Sequence, residues 1–429
     1  MNTTEWKSKL RNGELDEQLA HIYASDQKDV KFYIQRFEEI IDGFKETFAY
    51  DAEDMRLFSA PGRTEIGGNH TDHQHGCVLA GSINLDVIGA VSLNGKNEIR
   101  IKSKGYPMDV ISLNDLDVRE SEYDKASALI RGVVKKISDM GYKIQGFDAY
   151  TVSNVLKGSG MSSSAAFEVL VGTIINGLFC GNEIDAVEIA KIGQFAENVY
   201  FGKPCGLMDQ MASSVGSVVA IDFKDTQEPI VEKVEFDFTK SGYSLCIIDS
   251  GADHADLTDE YASITVEMKQ IANFFGKNYL REVNPQEFFD NIKKVRENLH
   301  NDRAVLRAIH YFNDNERAQD EVKALKENDF DLFLDTVKKS GYSSFMYLQN
   351  VYAASMPNQQ AVSLALAMCD EILGERGAYR VHGGGFAGTI QAFVPDDMLG
   401  EFKTKIENVL GDGMCHVLSI RPVGGIEIK

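Results

Sequence analysis

The chain of 429 residues is 43% apolar and 25% charged and carries a net charge of −21. That length exceeds one comfortable hydrophobic core and sets the expectation of two domains with a cleft. No apolar run approaches the ~20 residues of a membrane span; the acidic excess excludes nucleic acid and anionic membranes as expected partners; and six cysteines without paired spacing argue against a disulfide framework or a zinc site.

The opening residues Met1 to Lys7 lack the basic-then-apolar order of a secretory signal, so a cytoplasmic location is expected. Residues 1–50 read as a helical extension, with Val30, Phe32, Tyr33, Phe37, Ile40, Ile41 and Phe44 forming an apolar stripe that docks on the first domain. Strand and loop patterning follows over 57–101. Strands are expected at 77–80 and 87–91, and the polar, glycine-rich stretch 61–76 is expected to be a loop outside the core. A helix at 127–140, a strand at 147–152 and helices at 165–179 and 184–200 come next.

Between that strand and the helix after it lies Gly158-Ser159-Gly160-Met161-Ser162-Ser163-Ser164-Ala165-Ala166. Glycines let a backbone approach an anion, hydroxyls donate to phosphate or hold a cation, and a helix start presents unpaired N–H groups. The segment reads as a phosphate cradle, with a plain glycine–serine helix cap as the alternative. No Gly-Lys-Ser/Thr follows, so it is not the nucleotide P-loop.

The chain starts afresh near Ser241 with a strand at 243–248, then helices at 258–275, 285–299, 302–312, 316–327 and 356–374, whose charges read as solvated faces. Val381-His382-Gly383-Gly384-Gly385-Phe386-Ala387-Gly388 precedes a strand at 389–394. Three consecutive glycines carry a high entropic cost, so another group is expected to approach that backbone closely; a tight hairpin is the alternative. The pattern implies an α+β fold class, divided into residues 1–240 and 241–429, with the final strand returning to the first domain.

Four segments, in this order, resemble the GHMP kinase superfamily, and within it the galactokinase branch. They are Ala60-Pro61-Gly62-Arg63-Thr64-Glu65-Ile66-Gly67-Gly68-Asn69-His70-Thr71-Asp72-His73; the Gly158 to Ala166 loop; Glu197-Asn198-Val199-Tyr200-Phe201-Gly202-Lys203-Pro204-Cys205-Gly206-Leu207-Met208-Asp209-Gln210; and Gly383 to Gly388. The resemblance implies a two-domain GHMP kinase fold, with an N-terminal domain like ribosomal protein S5, a C-terminal α/β sandwich and the active site between them. It implies ATP and Mg²⁺ as cofactors, a small-molecule sugar as substrate, and a monomer or weak homodimer.

By the same resemblance Asp209 matches the base and Arg63 the arginine beside it. Ser164 and Glu197 match the magnesium ligands. Gly158, Ser159, Gly160, Met161, Ser162, Ser163 and Ser164 would hold the ATP phosphates, and Gly383, Gly384 and Gly385 would shape the cleft. Asn69, His70, Asp72, Gly206 and Tyr261 match sugar-contacting positions. The chemistry has its own logic: phosphoryl transfer is positioning plus neutralisation of charge, and a carboxylate within ~3 Å serves as base for an alcohol.

The departures fall on the sugar loop. Galactokinases usually read Gly-Glu-His-Thr-Asp-Tyr where this chain has Gly68-Asn69-His70-Thr71-Asp72-His73, and Val-Asn where it has Thr64-Glu65. Asn69 thereby exchanges an acceptor-only group for one that also donates. Asp253 stands where an arginine is common, and Ser344-Phe345-Met346-Tyr347-Leu348 departs from a usually charged stretch. The implied reaction is galactose to galactose 1-phosphate. Another sugar, a uronic acid or a polyol, and a catalytically silent sugar sensor, are the alternatives.

Overall fold

The structure is a computed structural model that describes residues 1–25, 30–156, 160–203, 205–252 and 257–429. Its strands are β1 (Arg56–Gly67), β2 (Cys77–Leu93), β3 (Glu98–Ser103), β4 (Met108–Ser112), β5 (Phe147–Ser153), β6 (Val218–Asp222), β7 (Ile230–Val234), β8 (Tyr243–Asp249), β9 (Ala378–Val381), β10 (Thr389–Pro395), β11 (Cys415–Leu418) and β12 (Ile426–Ile428). One sheet runs β12-β1-β2-β5-β3-β4, with β6 and β7 added to the free half of β2; the other runs β11-β8-β10-β9. Only the β3–β5 pairing is parallel among the described strands. The architecture is α+β, as the sequence pattern implies. No helix among the described residues is long and apolar enough to cross a membrane.

Two expectations fail in the region that carries the site. The stretch 61–76 is not all loop: β1 continues through Gly67 and is buried from Leu57 onward. Pro61, which cannot donate to a ladder, is tolerated because the register shifts between Pro61 and Arg63, a bulge. Likewise 77–80 and 87–91 are the ends of a single 17-residue strand. Its polar middle is kept in place by tertiary partners: Ser82 N donates to Ser217 O at 2.9 Å, and Asn84 N to Ser419 O at 3.0 Å.

The helices differ from expectation where polar residues have found partners. The 302–312 and 316–327 segments are one helix, Asp302–Lys326. Asn313-Asp314-Asn315 are poor helix formers, yet Asp314 takes Arg317 Nε at 2.7 Å and Asn69 N at 2.9 Å, and Asn315 takes Cys77 N at 2.8 Å. The 285–299 segment breaks at Asn291, and a helix at Phe330–Ser343 is additional. The 184–200 segment ends as a π-helical turn, Ala196–Phe201.

The N-terminal extension is three helices, Thr3–Arg11, Asp16–Ile22 and Lys31–Phe48. Their apolar faces, with Trp6, Leu10, Phe37, Ile40 and Phe44, cover Leu57, Ile88 and Ile428 of the first sheet. A buried polar cluster fastens them: Asp86 of β2 accepts from Tyr23 Oη at 2.6 Å, Arg36 Nη1 at 2.5 Å and Arg421 Nη1 at 3.2 Å.

Candidate active site

A cavity of about 310 Å³ opens where β1, the loop after it, the start of the helix Met208–Val215 and the turn after β9 meet. A larger groove of about 1010 Å³, between the N-terminal extension and the segments around Phe236 and Ile420, contains none of the groups singled out for chemistry.

Asp209 occupies the first turn of its helix, where the macrodipole favours an anion. Arg63 Nε donates to its Oδ1 at 2.8 Å, and Ser162 Oγ donates to Oδ2. Arg63 is 8% exposed and Asp209 33%, so the carboxylate faces the cavity while the guanidinium backs it. Burial works to raise the Asp209 carboxyl, but the guanidinium and the serine hydroxyl outweigh it and hold the group below its usual range. The result is a carboxylate ionised at neutral pH and open to a ligand.

The glycine–serine loop closes over this pair. Arg63 N donates to Met161 O at 3.2 Å, and Arg63 Nη1 donates to Gly160 O. Gly160 and Ser162 both have left-handed backbones, which turn the chain into the helix Ser163–Phe179. Met161 is buried. Gly158 and Ser159 lie outside the described residues, as does Asp253.

The π-helical turn, a device common at functional sites, delivers Glu197, 3% exposed. Its Oε1 stands 3.5 Å from Ser164 Oγ. Gln210 Nε2 donates to Glu197 Oε2 at 2.8 Å and to Glu168 Oε2 at 3.0 Å. Among the described residues Glu168 Oε1 and Gln210 Oε1 are buried without a partner. This all-oxygen donor set suits a hard cation such as Mg²⁺.

His70 and Asp72 line the cavity, together with Gly206, Gly383 and Gly384. His70 Nε2 lies 2.9 Å from Gly384 O, and since a carbonyl only accepts, that nitrogen carries the proton and Nδ1 is an acceptor. Burial and the neighbouring His73 push the ring's pKa down to about 4, which keeps it neutral. His70 thus ties the loop after β1 to the triple glycine.

Two expected sugar contacts stand elsewhere. Asn69 is fully buried. Its amide nitrogen donates to Glu65 Oε1 at 2.9 Å and Gly383 O at 2.8 Å, and its oxygen accepts from Asn350 at 2.8 Å and Ser344 at 3.2 Å, so nothing remains for a ligand. Tyr261 braces the glycine turn from behind, donating to Gly385 O at 2.7 Å and standing edge-on to Phe386. Conversely Glu65, Lys203 and Cys205 line the cavity although the sequence assigns them no contact; Glu65 stands out there only as part of the Thr64-Glu65 departure, and Lys203 and Cys205 only as members of the Asp209 segment. For Glu65 the signal is its spacing from Arg63, two residues along a strand, which a loop over 61–76 would not express.

Gly385 has φ +80°, and a Cβ there would lie 2.0 Å from Asn350 O. Gly385→Ala is therefore expected to cost at least about 1–3 kcal/mol, read as a lower urea midpoint; an unchanged midpoint would contradict the turn geometry.

Residues 128–217 match the family model described as GHMP kinases N terminal domain, and residues 42–93 the galactokinase galactose-binding signature. The chain is 32% identical over 364 residues to a galactokinase of Actinobacillus pleuropneumoniae serotype 5b (strain L20), covering 82% of this chain and 88% of that one. In fold it is similar to Lactococcus lactis galactokinase complexed with galactose, at TM-score 0.75 and 23% identity over 90% of this chain and 98% of that one. It is also similar to Methanococcus jannaschii mevalonate kinase, at TM-score 0.59 and 14% identity over 86% and 99%.

Proposed function

Because the chain belongs to the galactokinase family of GHMP kinases, and is thus an ATP-using sugar kinase, we propose that it phosphorylates galactose at the anomeric hydroxyl, giving galactose 1-phosphate and ADP. The observation that carries the mechanism is the Asp209–Arg63 pair, with a carboxylate held ionised at the wall of a cavity that the glycine–serine loop adjoins.

In this reading Asp209 accepts the hydroxyl proton as the sugar oxygen bonds to the γ-phosphorus, and the bond from that phosphorus to the bridging oxygen breaks to release ADP. Arg63 orients Asp209 and keeps it ionised, and its charge lies beside the developing negative charge. His70 Nδ1 and Asp72 accept from sugar hydroxyls. Ser164 and Glu197 would hold Mg²⁺, which when bound neutralises phosphate charge. The glycine–serine loop and the N-terminus of the helix Ser163–Phe179 would receive the phosphates, against an unhelpful global charge of −21. The cleft would lie between residues 1–240 and 241–429.

The test is purified protein with Mg-ATP and a panel of sugars, uronic acids and polyols, with ADP release measured and the product read by phosphorus NMR. Galactose is expected to give the highest kcat/KM, with phosphate on C1. Preference for another acceptor, or a product phosphorylated elsewhere, would overturn the assignment. A second prediction concerns the metal: Glu197→Gln should raise the Mg²⁺ concentration for half-maximal activity at least about tenfold. An unchanged Mg²⁺ titration would remove Glu197 from the donor set.

A further inference from the structure

Arg63 and Glu65 are two residues apart on β1, in regular register with Ser82 and Ala80, so their side chains leave the same face of the strand. Both line the cavity. The protein donors that reach the Glu65 carboxylate, Arg380 Nη2 at 2.7 Å and Asn69 Nδ2 at 2.9 Å, both bind Oε1. Among the described residues no protein donor reaches Oε2, and that atom is not one of the buried polar atoms sealed away without a partner. It therefore faces the cavity as an open acceptor. Asn69, whose hydrogen-bonding groups are all taken by protein, acts by fixing the other oxygen.

The cavity as a whole asks its ligand for donors. Glu65, Asp72 and Asp209 present carboxylates, and neutral His70 presents an acceptor nitrogen. Arg63 is the buried cation of the wall, and its Nε and Nη1 are engaged by Asp209 and Gly160. Lys203 stands at the rim with its side chain 64% exposed, 3.8 Å from Glu197. Sugar hydroxyls satisfy such a set; a ligand carboxylate placed against it leaves like charges together, out of water.

We propose that Glu65 is the specificity-determining carboxylate of the sugar site: Oε2 accepts a hydrogen bond from a hydroxyl other than the reacting one, and its charge excludes acidic sugars. The assignment rests on the sugar-kinase reading and narrows its acceptor to neutral sugars. Burial raises the Glu65 carboxyl to about 7 against the pull of Arg380 and Asn69, and a sugar hydroxyl donating to Oε2 opposes burial and draws the group toward the charged form that excludes acids.

The test compares wild type, Glu65→Gln and Glu65→Ala on galactose, its 2-, 3-, 4- and 6-deoxy analogues and galacturonic acid. It reads kcat and KM with Mg-ATP and, independently of turnover, sugar binding by titration calorimetry. Glutamine keeps an oxygen for Arg380 and Asn69 and turns only the cavity-facing acceptor into a donor. Glu65→Gln is expected to lower kcat/KM for galactose about 10- to 100-fold, mainly through KM. One deoxy analogue, lacking the hydroxyl read by Glu65, should lose far less, and galacturonate binding should strengthen.

An equal loss for galactose and all four deoxy analogues would mark a purely structural role and overturn the proposal. So would wild-type protein that binds galacturonate as tightly as galactose, an outcome readable even if neither variant folds. Selective sugar binding with this pattern but no turnover would sink the kinase reading and leave the Glu65 assignment standing; binding of no sugar in the panel would sink both.

Discussion

Asp209→Asn is expected to lower kcat for galactose phosphorylation about 10²- to 10⁴-fold, with a much smaller change in KM. The amide is nearly isosteric and can still accept from Arg63 Nε, now 2.8 Å from Oδ1, so the wall of the cavity keeps its shape. What it cannot do is take a proton. The measurement is steady-state kinetics on protein whose melting curve matches wild type, and a kcat within threefold of wild type would rule Asp209 out as base. A companion variant tests the electrostatics. Burial alone raises the Asp209 carboxyl and Arg63 is the largest opposing influence, so Arg63→Leu should shift the acid limb of the kcat–pH profile upward in pH. A limb that stays in place would mean that the guanidinium does not control Asp209.

Asp86→Asn is expected to destabilise the fold by about 3–5 kcal/mol, enough to remove a large part of the stability of an ordinary domain. Asp86 has no solvent exposure, and it is the shared carboxylate of Arg36 and Arg421, which are 8% and 0% exposed. Neutralising it leaves two guanidiniums facing each other in the core. Burial acts to raise the Asp86 carboxyl, yet the two arginines and the hydroxyls of Ser59 and Tyr23 prevail and lower it. A carboxyl depressed on folding contributes fully above its unfolded pKa, roughly 4, and the contribution is lost as the pH falls through the lower folded value. The loss in the variant should therefore be seen at neutral pH and shrink in acid. Urea unfolding at pH 7 checks it, and a difference under 1 kcal/mol would show that the extension is held by its apolar face alone.

The kinase family was legible where its motifs are written in consecutive residues. The loop from Gly158, the Arg63 segment and the Asp209 segment each combine residue types that chemistry needs at short range, and short range is what a sequence displays. The extension's stripe from Val30 to Phe44 was legible for the same reason, its helical periodicity, except at Phe32, which is exposed and stands off the docked face. By contrast the polar stretch after Pro61 reads as loop because glycine, asparagine and histidine have low strand propensity. As far as Gly67 it becomes strand because β2 pairs with it from Arg63 onward and supplies its hydrogen bonds. The helix Asp302–Lys326 runs through Asn313 to Asn315 because the partners of those side chains lie far away in the chain, on the Asn69 and Cys77 segments.

Composition, periodicity and motif order by themselves determined the α+β class, the kinase family and the residues to suspect, because each depends on side-chain identity or on neighbours within a few positions. Only the tertiary structure decided which suspects reach the cavity. Asn69 and Glu65 are four residues apart and compete for one small volume; Arg380, Asn350 and Ser344, more than 270 positions away, consume the amide and leave one carboxylate oxygen facing the cavity. Burial and hydrogen-bond saturation are properties of that assembled neighbourhood, and no local pattern encodes them.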